Sequence, residues 1–106
     1  PCIPVQDTIK EVEDGFIKKT LNREKLVQVQ TPQAFKYSIL IASYKKAYRD
    51  KFFGSDDSVL TERIGHRVKV VPGSPENIKI TYPLDIEIAK TLSKKWKKNN
   101  AVRVVV

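Results

Sequence analysis

Leu26-Val27-Gln28-Val29-Gln30 alternates apolar and polar side chains, and Thr31-Pro32-Gln33 follows without a break. A period of two reads as a strand with one polar face. Immediately afterwards the apolar period changes. Tyr37, Leu40, Ile41, Tyr44 and Tyr48 recur at helical spacing and make one stripe. Thr31 is the predicted N-cap of that helix and Pro32 its first residue. A strand passing straight into a helix is the repeating unit of an α/β sheet. The tyrosines are expected to pack in the core and at its rim rather than to stack on bases.

Downstream the alternation continues. Gly54 interrupts the helix, and Ser55-Asp56-Asp57-Ser58 opens a short one reaching about Ile64, with Ser55 as expected N-cap and Gly65 as its stop. Residues 67–71 and 77–81 read as strands around the turn Pro72-Gly73-Ser74-Pro75. Tyr82-Pro83 opens the last helix, whose stripe Leu84, Ile88, Leu92 and Trp96 is expected to lie against a sheet, and Asn99-Asn100 stops it. No role is assigned to 101–106.

Upstream, Glu13-Asp14-Gly15 separates two charged runs, 7–12 and 16–21. Asp-Gly between such runs is a strong hairpin signal, because a type I′ turn needs positive φ. Both arms are poor in large apolar residues. The ribbon is therefore expected to project and to find its partner elsewhere.

The composition is that of a soluble chain: 41% hydrophobic and 30% charged over 106 residues, with a net charge of +8. No apolar run approaches the roughly 20 residues of a membrane span. Pro1-Cys2-Ile3-Pro4 lacks the basic region and cleavage site of a signal peptide. With two prolines in four residues and no initiating Met, it reads as the interior of a longer chain. One cysteine, Cys2, and one histidine, His66, exclude an internal disulfide and a Cys/His zinc site. A packed thiol and a reducing, cytoplasmic setting are expected. The positive balance suits a phosphate-bearing partner. Lys90, Lys94, Lys95, Lys97 and Lys98 are better read as a solvated helix end, where cations complement the dipole.

No nucleophile-plus-base pair is visible. Asp56 and Asp57 are adjacent acids, but neighbours on a helix face different ways, so capping accounts better for at least one. Lys79 and Thr81 would share one face of a strand, with Ile78 and Ile80 on the other. Ligands of open α/β sheets bind beyond the strands' C-terminal ends, and a Lys beside a hydroxyl suits phosphate. Across the ribbon, Thr8 is expected near Leu21, within a residue or two of Arg23. An Arg fork and a hydroxyl on a projecting arm can hold a phosphate.

These words occur together in a known order. Residues 4–10 (Pro-Val-Gln-Asp-Thr-Ile-Lys), Leu21-Asn22-Arg23, Thr31-Pro32-Gln33-Ala34-Phe35, Ser55-Asp56-Asp57-Ser58, Gly73, residues 77–81 (Asn-Ile-Lys-Ile-Thr) and Asp85 are similar, in register, to the C-terminal half of the 2-C-methyl-D-erythritol 4-phosphate cytidylyltransferases. The resemblance reaches to about Lys95. It implies an enzyme of non-mevalonate isoprenoid biosynthesis that joins CTP and methylerythritol phosphate, giving CDP-methylerythritol and pyrophosphate. It implies a Rossmann-like nucleotidyltransferase sheet, of which this is the C-terminal part, with a protruding β-arm hairpin that hooks into the partner of a homodimer. The expected division is 1–25 for the arm and 26–106 for the α/β part.

The same resemblance implies site roles. Thr8 and Arg23 match arm residues that reach the other subunit's substrate phosphate. Thr31 and Ser55 match hydroxyl positions beside the methylerythritol, where the family often has Thr in place of Ser55. Lys79 matches a lysine important for turnover, and Thr81 its neighbour. Lys79 and Arg23 are thus the expected catalytic residues. The Gly-rich phosphate loop, the cytosine pocket and the Mg²⁺ aspartate belong to the N-terminal half, so no metal ligand is expected in these residues and the chain alone is expected to be inactive. The rivals are a sibling cytidylyltransferase using ribitol 5-phosphate, a basic RNA-binding module and a bare dimerisation fragment. No RNA-binding signature supports the second. Neither nucleic acid nor membrane is expected as a partner.

Overall fold

Two contacts between successive elements, the two strands of the hairpin and the first helix on the second, and one between distant strands, Cys2–Pro4 with Val27–Val29, organise the described residues. The computed structural model describes residues 1–100; the tail 101–106 lies outside the described residues. Strands β1 (Cys2–Pro4), β2 (Lys10–Glu13), β3 (Phe16–Thr20) and β4 (Val27–Val29) are followed by helices α1 (Tyr37–Arg49), α2 (Asp57–Arg63) and α3 (Pro83–Asn100). β1 pairs antiparallel with β4, and β2 with β3. No helix among the described residues is long and apolar enough to cross a membrane.

The hairpin is present. Asp14 (φ 51°) and Gly15 (φ 81°) both occupy the left-handed region that a type I′ turn requires. A bulge between Glu11 and Val12 shifts the register, so the Leu21 N–H meets the carbonyl of Ile9 rather than of Thr8. Val12, Phe16 and Ile17 stay exposed.

The strand at β4 forms, but its partner is the chain's first residues, which periodicity alone left unassigned. The two expected strands at 67–71 and 77–81 do not form. Strands exist only as ladders, and among the described residues no neighbour flanks these segments. The end of the first meets β1 through a parallel bridge between Cys2 and Pro72, where the Cys2 N–H donates to the Val71 carbonyl and the Gly73 N–H to that of Cys2.

α1 begins at Tyr37, with Lys36 as its N-cap, and not at Thr31–Pro32, whose peptide bond is cis. The Thr31 carbonyl accepts from the Asn77 side chain and the Gln33 amide docks on α2, so this stretch is held in a connecting segment. The buried positions of α1 are Ser43 and Ala47, while Tyr37 and Tyr48 are exposed; the tyrosine stripe is not the core. α1 ends before Gly54. Lys51 takes the left-handed position (φ 51°), and the Phe52 N–H returns to the Ala47 carbonyl.

α2 is capped by Asp56, one residue after the expected Ser55. The Asp56 carboxylate accepts from the Val59 N–H at 3.0 Å. Gly65 (φ 86°) stops it as expected. Leu60, Thr61 and Ser58 turn toward Ala47 and Ser43 to make a small core between α1 and α2. Asp50 reinforces that contact by pairing with Arg63 at 2.6 Å and with Lys46 at 2.9 Å, while Arg63 lies 4.2 Å over the Phe52 ring.

α3 starts where Pro83 placed it. The Asp85 carboxylate accepts from the Tyr82 N–H (2.8 Å) and the Thr81 N–H (2.9 Å), closing its first turn. These two bonds hold the Asp85 carboxyl below the usual carboxylate range. Among the described residues its apolar stripe is not packed on a sheet as expected, and Leu84 (69%) and Trp96 (67%) are mostly exposed. The described residues are openly arranged. The radius of gyration is 18.2 Å, against about 13 Å for a compact domain of this length. The accessible surface is 9555 Å², against about 6,000 Å² for a folded monomer of this size.

Candidate active site

Three of the residues singled out by sequence converge. Thr31, Ser55 and Lys79 line one cleft of about 720 Å³, together with Gln28, Asp56 and Asn77. β4 delivers Thr31 by ending just before it. The turn ahead of α2 delivers Ser55. The segment following the 72–75 turn delivers Lys79.

Polar bonds hold those three segments in place. Gln33 donates to Asp56 at 3.0 Å and accepts from the Ser58 N–H at 3.1 Å, tying the segment after Thr31 to the start of α2. Gln30 spans to the 74–77 turn. Its Nε2 donates to the carbonyls of Ser74 (2.7 Å) and Asn77 (3.0 Å), and its Oε1 accepts from the Ser74 N–H (3.1 Å). Asn77 returns a bond to the Thr31 carbonyl at 2.7 Å. Gly73 makes room for this: a Cβ there would sit 2.2 Å from Gln30 Oε1 and 3.1 Å from backbone atoms of Cys2.

The two acids beside the cleft are engaged. Partial burial pushes the Asp56 carboxyl up, but the bonds from the Val59 N–H, Gln33 and Ser58 outweigh it and leave the group below its ordinary value. Asp57 accepts from the Tyr44 hydroxyl, and that bond with the Asp57 charge raises the Tyr44 phenol. No group of three or more His, Cys, Asp or Glu among the described residues is placed to hold a metal ion. The amides of Gln30, Gln33 and Asn77 also line the cleft but are engaged in the bonds above, and beside them stand the hydroxyls of Thr31 and Ser55, the amide of Gln28 and the ammonium of Lys79. Hydroxyls and amides satisfy a polyol, and a Lys serves as a point charge for a phosphate.

The other predicted residues lie outside this cleft. Arg23 donates to the Gln6 carbonyl across the base of the hairpin at 2.5 Å, and Thr8 is exposed on the same limb. Thr81 bonds back to the Lys79 carbonyl at 3.3 Å and faces the start of α3. Gln30 escaped sequence reading as a structural group. The available signal was its position on the polar side of the alternating stretch 26–30, immediately before Thr31.

A family model described as 2-C-methyl-D-erythritol 4-phosphate cytidylyltransferase matches residues 1–95. The chain belongs to that family. A relative of that name in Clostridioides difficile is 50% identical over 90 residues, covering 85% of this chain and 38% of its own length. One in Syntrophus aciditrophicus is 50% identical over 95 residues, covering 89% and 41%. Among solved structures, the family's enzyme from Thermus thermophilus superposes with a TM-score of 0.79 at 34% identity, covering 89% of this chain and 46% of that one. The 4-diphosphocytidyl-2C-methyl-D-erythritol synthase of Anaerococcus prevotii gives 0.77 at 36%, covering 88% and 44%. The α/β arrangement of the family's nucleotidyltransferases is therefore shared. The chain spans about two-fifths of the length of these curated relatives.

Proposed function

We propose that this chain is the C-terminal part of an enzyme that joins CTP and 2-C-methyl-D-erythritol 4-phosphate, releasing pyrophosphate, and that it forms the side of the site holding the sugar phosphate. Membership of the family over residues 1–95 supports the reaction. The observation that carries the role of this chain is the gathering of Thr31, Ser55 and Lys79 around one cleft.

In this reading a phosphate oxygen of methylerythritol phosphate attacks the α-phosphorus of CTP. The bond from that phosphorus to the β-phosphate bridge breaks in line, and pyrophosphate leaves. No covalent enzyme step is needed, so positioning and charge neutralisation supply the catalysis. Lys79 neutralises phosphate charge, Thr31 and Ser55 hold the polyol hydroxyls, and Thr81 stands beside Lys79. Magnesium belongs with the triphosphate in this chemistry. The described residues do not fit it, since Asp56 and Asp57 are already engaged by Val59, Gln33, Ser58 and Tyr44, and no step is routed through it here.

Thr8 and Arg23 act in the proposal across a homodimer, from a hairpin that inserts into the second subunit. The exposed Val12, Phe16 and Ile17 supply apolar surface for that contact. The Rossmann-like sheet is completed by the N-terminal half, which lies along the uncovered apolar faces of 68–71 and α3. The setting is the cytoplasm, and this chain by itself does not turn over CTP.

The test is pyrophosphate release by the complete protein with CTP, Mg²⁺ and either methylerythritol phosphate or ribitol 5-phosphate. Release with methylerythritol phosphate alone is expected. Release with ribitol 5-phosphate instead moves the protein to the sibling activity, and release with neither ends the enzymatic reading.

A further inference from the structure

The 74–79 segment carries Lys79 to the cleft, yet it forms no strand or helix and sits on no apolar core, and its tie to α3 is the exposed pair of Glu76 with Lys95. Its residues are exposed except for the half-buried Ile78. A lysine on such a segment has no fixed address unless something else supplies one. The hydrogen bonds identify what does. Gln30 uses both ends of one amide on this segment, donating to the Ser74 and Asn77 carbonyls and accepting from the Ser74 N–H. Asn77, two residues before Lys79, donates in turn to the carbonyl of Thr31, the residue after Gln30. The result is a closed polar strap: Gln30 grips the loop, the loop's Asn77 grips Thr31, and Thr31 and Lys79 both line the cleft.

Gly73 belongs to the same device. Any side chain there would occupy the place of Gln30 Oε1, 2.2 Å from the nearest Cβ position. The backbone of Gly73 is meanwhile bonded to Cys2 at 2.8 Å, so it cannot retreat without breaking the bridge to β1. The strap is thus anchored to the β1–β4 ladder, the ordered sheet nearest the cleft.

We infer that Gln30 is a positioning residue that sets the location of Lys79 relative to Thr31, with Asn77 and Gly73 as the parts of the strap that make this possible. This rests on the proposed role of Lys79. Gln30 also lines the cleft, but both ends of its amide are taken up by the loop, so in that scheme it acts on the chemistry through the loop. A displacement of about 1 Å at a positioning group costs up to about a hundredfold in rate.

The experiment uses the complete protein with Gln30→Ala, Lys79→Ala, the double variant and Gln30→Glu. Backbone amide exchange of 74–79 is followed alongside steady-state pyrophosphate release. Gln30→Ala is expected to lower kcat about tenfold or more and to deprotect 74–79, while α2 keeps its protection. In the double variant Gln30→Ala is expected to add less than twofold to the loss from Lys79→Ala, because the group it positions is gone. Gln30→Glu keeps the acceptor for the Ser74 N–H but sets a carboxylate against two carbonyls, and is expected to resemble Gln30→Ala. Effects that multiply in the double variant would overturn the inference in favour of general destabilisation, as would unchanged kcat in Gln30→Ala. If the wild type releases no pyrophosphate the proposed function fails. The strap is then judged by exchange alone: unchanged protection of 74–79 in Gln30→Ala overturns it, and selective loss supports it.

Discussion

The cleft region and the hairpin–α3 region are held in different ways. Around the cleft, Gln30, Gln33, Asp56 and Asn77 satisfy one another and nearby backbone groups, and α1 closes on α2 over Ala47, Ser43 and Leu60. In the hairpin and α3, Phe16, Ile17, Leu84 and Trp96 remain largely exposed. Polar staples work at short range and need only the segments they join. Apolar faces need a complementary surface, and a ribbon or a single helix does not provide one for itself. The first region is tied together within this chain even though Tyr37, Tyr48 and Phe53 on it stay exposed, and the second leaves its apolar faces largely exposed.

The contrast makes graded predictions for the complete protein. The largest effect is expected at the α1–α2 core. Leu60, 7% exposed, should cost about 2–4 kcal/mol of unfolding free energy as Leu60→Ala, from lost burial plus the residual cavity. A change under about 1 kcal/mol by denaturant unfolding would mean the small core is not what holds the cleft region. Next is Gly73→Ala, expected to cost about 1–3 kcal/mol, because the new Cβ displaces Gln30 and frees polar groups on the turn. Pairing it with Gln30→Ala sharpens the point: the two should be non-additive, since each removes the same bonds.

The cap comes third. Asp56→Ala should cost about 1–2 kcal/mol, and Asp56→Asn less, since an amide oxygen still accepts from the Val59 N–H. Asp56 also gives a pH signature. Its folded carboxyl is held below the ordinary value by Val59, Gln33 and Ser58, against the pull of burial. Its stabilisation is therefore fully present above the unfolded value, about 3.9, and is lost as pH falls through the lower folded value. Wild type should lose stability on acidification below about pH 4 by a margin that Asp56→Asn lacks. The smallest effect is expected on the hairpin. Lys18 pairs with Glu13 at 3.0 Å and Glu11 at 3.6 Å, with its side chain 50% exposed. Lys18→Ala should change stability by no more than about 0.5 kcal/mol, and less at high salt.

The same contrast explains what could be read from the sequence. The hairpin turn was legible because Asp14-Gly15 is a local requirement on φ, and the end of α2 because Gly65 is another. The start of α3 was legible because Pro83 and Asp85 act within one turn. The strands at 67–71 and 77–81 were misread because alternation reports a two-faced segment, and a ladder further needs a neighbour that these described residues do not provide. The tyrosine stripe misled for a related reason. Periodicity marks a face, but the face of α1 that closes on α2 is the one with small residues, Ser43 and Ala47. Thr31 and Ser55 were named as site residues from the family's words, Lys79 first from its place beside Thr81 on an expected strand and then from those words, and the cleft brings the three together. Gln30 and Gln33 were not named, since an amide's partners 44 and 25 residues away leave no periodic trace.

In the proposed function Lys79 serves the sugar phosphate from the stapled cleft. The most direct test of that role is kcat for pyrophosphate release by the complete Lys79→Ala protein, saturated with CTP and methylerythritol phosphate, with folding checked by unchanged denaturant midpoint. The account predicts a fall of about a hundredfold or more, equivalent to roughly 3 kcal/mol of transition-state stabilisation. A kcat within twofold of wild type would contradict it.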